Sequence, residues 1–156
     1  MTNCNSLPKE YESLGPEIEE IVGYEIDKNE KHLDCIKRNI KVAESIEGLT
    51  LVSDQLNVYL FRIIEDVVSN LKEKIKSDKT RFLGHYNKLF PYNSPSKLLF
   101  TFIKNKVEEQ VINRLAGVSK AFIDKVKEIA KRLDSNGYSI MIGVPLTFTI
   151  TLHFGT

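Results

Sequence analysis

The sequence predicts a mainly α fold: an antiparallel bundle of three or four helices, two of them long, followed by a short C-terminal β-hairpin. Three observations carry that expectation. Apolar residues recur every three or four positions over most of the chain, the pattern of helices with one buried face. Gly and Pro fall at a few well-separated points. Only the last twenty residues switch to a period of two.

After a tail assigned to residues 1–14, Gly15-Pro16 opens the first helix, because proline suits the first helical position. From Val22 a seam runs through Ile26, Asn29, Leu33, Ile36, Ile40 and Ala43 in alternating steps of four and three, a heptad, coiled-coil pattern with one polar member, Asn29. Gly48 is its expected end, giving one rod of about 32 residues and roughly 50 Å. A second helix starts at Thr50 or Ser53, either of which can cap a first turn. Its stripe of Leu56, Leu60, Phe61, Ile63, Ile64, Val67, Val68, Leu71 and Ile75 is wide enough to face more than one neighbour. Phe82, Leu83, Tyr86, Leu89 and Phe90 fit a short helix, stopped by PYNSPS. Ser94-Pro95 then opens what reads as the longest helix, its core running Val107, Val111, Leu115, Val118, Phe122, Val126, Ile129 and Leu133. Gly117 and Ala121 would admit a neighbouring backbone, or Gly117 would mark a bend. Asn136-Gly137 ends it. Residues 15–156 thus read as a single helical domain that includes a hairpin over 138–154.

The chain has 156 residues, 28% charged and 42% hydrophobic, with a net charge of +1. A domain of that size buries enough surface to need neither disulfides nor metals. Through Thr50 there are six Lys/Arg and eleven Asp/Glu, a net of −5, which leaves +6 for the remainder. Such an imbalance favours docking of the N-terminal helix on the rest of the chain or on another copy. Cys4 and Cys35 lack metal-type spacing and are expected as free thiols in a reducing compartment. The start of the chain shows no signal-peptide pattern, and no apolar run is long enough for a transmembrane helix. The expected location is the cytoplasm, or outside the cell by a non-classical route.

Chemistry-bearing constellations are sparse. His32 and Cys35, three apart beside Glu30 and Asp34, are two ligands where zinc takes four. Helical di-iron sites use Glu-x-x-His pairs, and none is present. Glu65 and Asp66 follow Arg62 at ion-pair spacing. With three histidines, His32, His85 and His153, and no nucleophile elbow or phosphate loop, no enzyme and no cofactor are predicted. Tyr86 and Tyr92, around Phe90-Pro91, form an aromatic cluster that reads as packing at a bundle end. LKEKIKSDKTR and SKAFIDKVKEIAKRL each carry five basic and two acidic residues. Their acids sit at helical spacing from the bases, Lys120 with Asp124 and Glu128 with Arg132, the pattern of a solvated face rather than a phosphate track.

The terminal LTFTITLHFGT places Leu146, Phe148, Ile150, Leu152 and Phe154 on one face and Thr147, Thr149, Thr151 and His153 on the other. Exposing five such side chains would forfeit on the order of 10 kcal/mol, so they must be covered. A hairpin returning through Gly143-Val144-Pro145 pairs about five residues per arm and leaves the far end unpartnered. The six candidate contact residues are therefore Leu146, Phe148, Ile150, Leu152, Phe154 and His153. The functional expectation is a non-enzymatic protein acting through self-assembly or protein binding, with this strand as pairing element. One alternative is a membrane-active, pore-forming or toxin-like protein that inserts the hairpin. A second is a nucleic-acid-associated helical protein.

Overall fold

A computed structural model shows a mainly helical protein, with six α-helices among the described residues. It describes residues 12–77 and 86–133 and the backbone of 137–143 and 147–153; the side chains of 116–122 and of everything beyond 133 lie outside the described residues. The helices are α1 (Leu14–Lys28), α2 (Glu30–Val42), α3 (Ile46–Ser77), α4 (Tyr86–Leu89), α5 (Lys97–Arg114) and α6 (Ala116–Arg132). The chain divides into two compact units, one made of residues 1–28 and 62–110, the other of residues 29–61 and 111–156.

In the first unit, α1 and α5 run parallel in a regular ladder. Lys106 Nζ lies 2.7 Å from Glu19 Oε1, and Gln110 Nε2 donates to the Glu19 carbonyl at 3.1 Å. One turn to either side, α1 carries glycine. Cβ positions at Gly15 and Gly23 would lie 3.8 Å from Phe102 and 3.6 Å from Gln110. Glycines eight apart on one helix thus face long residues eight apart on the other, with the Glu19–Lys106 pair midway between them. Leu14, Ile18, Ile21, Val22 and Ile26 of α1 are buried, as are Ile63, Ile64, Val67, Leu71 and Ile75 of α3 and Leu99, Ile103 and Val107 of α5.

In the second unit, α2 and the first half of α3 are antiparallel, as their short connection requires. Asn39 Nδ2 donates to Gln55 Oε1 at 3.0 Å, and His32 meets Tyr59 edge to face with centroids 5.2 Å apart. Leu33, Ile36 and Ile40 are buried with Leu49, Val52, Leu56, Tyr59 and Leu60. α6 packs on α2, and Arg132 donates to the Glu44 carbonyl at 2.7 Å.

Six sequence expectations are corrected. The first rod is two helices: Asn29, at φ −108° and ψ 22°, leaves the helix between α1 and α2, while its carbonyl accepts from the N–H groups of His32 and Leu33. The seam residues around it remain buried, so the apolar pattern was sound and the continuity was not. Gly48 does not end that helix. Ala43, at ψ 133°, turns the chain out, and Ser45 Oγ accepts the Gly48 N–H at 3.0 Å, making Ser45 the cap of α3.

Among the described residues the longest helix is α3, at 32 residues. The expected last long helix breaks at Leu115, at φ −96° and ψ 4°, whose N–H is shared between the carbonyls of Val111 and Ile112. The cap of α5 is Ser96, not Ser94: its Oγ accepts the Leu99 N–H at 3.3 Å. Lastly, Phe61 and Leu133, assigned to the core, are 62% and 51% exposed.

The expected hairpin lies outside the described side chains. Strand-type backbone is assigned over β1 (Gly137–Gly143) and β2 (Thr147–His153). The helices are the fold described here.

Candidate functional site

Of the six residues singled out in the sequence, Leu146 and Phe154 fall outside the described residues, and Phe148, Ile150, Leu152 and His153 are placed only as backbone within β2. The other sequence candidates are placed, and the structure separates them. His32 turns to Tyr59, and Cys35 is exposed with Asn39 Nδ2 at 4.0 Å. Among the described residues, no three His, Cys, Asp or Glu side chains gather as a metal site would need. Nor does any described helix have the length and apolarity to cross a membrane. The expected ion pairs of Arg62 with Glu65 and Asp66 do not form among the described residues. Arg132, expected beside Glu128, bonds the Glu44 carbonyl instead.

That bond borders a cleft of about 640 Å³, lined by Glu44, Ser45, Ile46, Glu47, Ile129, Arg132 and Leu133. Its elements meet there for local reasons. The α2–α3 connection is three residues long, so the start of α3 lies beside the end of α2, and α6 brings its last turn to the same corner. Ile46, Ile129 and Leu133 give the cleft an apolar floor, while Glu44, Glu47 and Arg132 supply a mixed-charge rim. The Ser45 hydroxyl is occupied as a helix cap. An apolar side chain would fit such a cleft; no nucleophile or acid–base pair is assembled in it.

The first unit has a polar counterpart. Glu25 of α1 is 4% exposed and accepts from Asn70 Nδ2 of α3 at 3.2 Å. A shallow cleft of about 390 Å³ beside them is lined by Tyr24, Glu25, Lys28, Asp66, Ser69, Asn70 and Glu73. Burial of a carboxylate with an amide donor fixes how α1 sits on α3.

Two electrostatic features belong to the same unit. Lys106 is held above the ordinary lysine range, first by its hydrogen bond to Glu19 and further by the charges of Glu19 and Glu109, with burial acting against them. Glu108 is pushed above the ordinary carboxylate range by burial, which Lys104 only partly offsets. Its Oε1 is buried without a hydrogen-bond partner.

The surface bears apolar residues that sequence reasoning placed inside or passed over. On α3, Leu51, Val58 and Phe61 are 58%, 65% and 62% exposed, on one side of the helix. Phe61 was misread because its neighbours Leu60 and Ile63 are buried, and a wide apolar stripe does not reveal its own margin. Comparison with family models, with curated proteins and with solved structures gave no match.

Proposed function

We propose that this chain is a non-enzymatic helical-bundle protein that acts through self-assembly or protein–protein binding, with its C-terminal strand as the pairing element. The observation that carries the reading is the alternation of LTFTITLHFGT, an apolar face and an uncharged edge at the end of a helical chain. Support comes from the strand-type backbone of β1 and β2 and from their antiparallel register, which sets Gly143 opposite Thr147, Ile140 opposite Ile150 and Gly137 opposite His153. The open backbone in a two-stranded arrangement lies along its outer edges, where no Lys, Asp or Glu of β2 discourages addition of another strand. Further support comes from Leu51, Val58 and Phe61, apolar surface of the kind that association covers.

The same reading places the protein in the cytoplasm, where an exposed thiol such as Cys35 stays reduced. Light scattering after size exclusion tests the proposal. A mass above that of one chain, falling when Ile150→Lys puts a charge on the apolar face, is the expected result. A strict monomer that retains no partner through the intact strand would overturn it.

A further inference from the structure

The turn between α4 and α5 holds the most unusual backbone described. Tyr92 sits at φ 55° and ψ 34°, and Asn93 follows at φ 63°. Asparagine tolerates this left-handed region; tyrosine rarely enters it. Such a conformation persists only where its surroundings impose it, and here they do. The Tyr86 hydroxyl donates to Asn93 Oδ1 at 3.0 Å, and Lys72 Nζ donates to the Asn93 carbonyl at 3.0 Å. The Ser96 N–H donates to the Leu89 carbonyl at 2.8 Å. Phe90, 1% exposed, anchors the turn from below and stacks on Tyr86.

All this bracing supports a side chain that touches nothing. Tyr92 is 101% exposed, the apex of a convex knuckle. Its surroundings are basic. From residue 86 through 107, all of it described, the chain has four Lys and no Asp/Glu. Lys106 is committed to Glu19, but Lys88 and Lys97, on either side of the knuckle, are exposed. Lys76 lies 5.5 Å from the centre of the Tyr86 ring. On α5, Phe100 is 38% exposed and shares a helix face with Lys97 and Lys104.

We propose that this knuckle, with Tyr92 at its apex and Lys88, Lys97 and Phe100 around it, docks the chain on an anionic phospholipid surface. Tyrosine and lysine are the residues that settle at headgroup level, the ring at the boundary and the ammonium among the phosphates. Shape decides against a single-stranded nucleic acid: stacking proteins lay the strand along a groove, whereas a fully exposed convex tip fits a flat layer. The contact is peripheral, involves no inserted hairpin, and does not depend on self-assembly; a monomer can make it.

Sedimentation of the full chain with vesicles tests it, using phosphatidylcholine alone and phosphatidylcholine mixed with phosphatidylglycerol. Binding is expected only to the mixed vesicles and should weaken as salt is raised. Lys88→Glu with Lys97→Glu should cut the bound fraction on the order of tenfold, since each lysine near such a surface contributes a several-fold factor. Tyr92→Asn keeps a residue suited to the left-handed turn and removes the ring; it should lower binding several-fold while leaving the circular dichroism spectrum and thermal midpoint intact. Equal binding to neutral vesicles, no binding to either kind, or full binding by the folded double-lysine variant overturns the proposal. So does binding lost only through Ile150→Lys, which would assign the contact to the terminal strand. Capture by polyuridylate without capture by mixed vesicles would assign the knuckle to nucleic acid instead.

Discussion

Glu108 shows what one buried carboxylate oxygen does to a helix surface. Burial leaves Oε1 without a hydrogen-bond partner and raises the group above its ordinary range despite Lys104 one turn before it. A carboxyl that takes up its proton more readily in the folded chain favours folding while protonated; that contribution is lost as pH rises from the ordinary carboxylate value through the raised one. Glu108→Gln, neutral at every pH, should therefore raise the urea midpoint at neutral pH, and the gain over the parent should shrink as pH falls below the carboxylate range. A gain that persists in acid would place the effect in packing rather than in charge. Gly23 offers the complementary case of a missing atom. Its added Cβ would meet Gln110 at 3.6 Å, an ordinary contact, in the interior of α1. Gly23→Ala should consequently stabilise the chain by about 0.5–1 kcal/mol, the helix-interior cost of glycine. A loss in the urea midpoint would mean that Gln110 cannot yield.

Helix ends show how much of the fold the sequence discloses. Buried faces were legible because burial is periodic: Ile26, Leu33, Ile36, Ile40, Leu56, Ile63, Val107 and Val111 were all read from spacing alone and all lie in the core. The break at Asn29 was not legible, since an apolar seam can cross an interruption without losing phase, while Gly117, read as one place for a bend, lies two residues past the break at Leu115. Gly48 was read as a stop because glycine commonly ends helices; within a first turn it is merely a weak residue, and Ser45 three positions earlier outranks it. The force of that cap can be measured. Ser45→Ala removes the acceptor of the Gly48 N–H, and about 1 kcal/mol of stability should go with it. Ser45→Asp, which can accept the same bond, should restore it. If alanine and aspartate variants unfold at the same urea concentration, the start of α3 is held by its neighbours and not by its cap.

At the scale of the whole molecule the question is which surface is left for a partner. The alternation that suggests a terminal strand is a property of eleven consecutive residues and is readable in the sequence, whereas the cleft at Arg132 and the Tyr92 knuckle are not. Both of those depend on backbone turns and on contacts between residues far apart in the chain. Exposed Val58 and Phe61 form a rival to the strand, so association must be assigned to one or the other. A chain that assembles is stabilised by its own concentration, because the associated state is folded. The urea midpoint should therefore rise as protein concentration rises. At the lowest concentration, Val58→Ser with Phe61→Ser should alter stability by no more than about 0.5 kcal/mol, as expected for exposed positions, and the concentration dependence should survive. Thr151→Pro removes a backbone donor from β2 and should abolish that dependence. The opposite pattern, dependence lost in the α3 double variant and kept in Thr151→Pro, would move the pairing surface to α3, and a midpoint indifferent to concentration in the parent chain would remove self-assembly altogether.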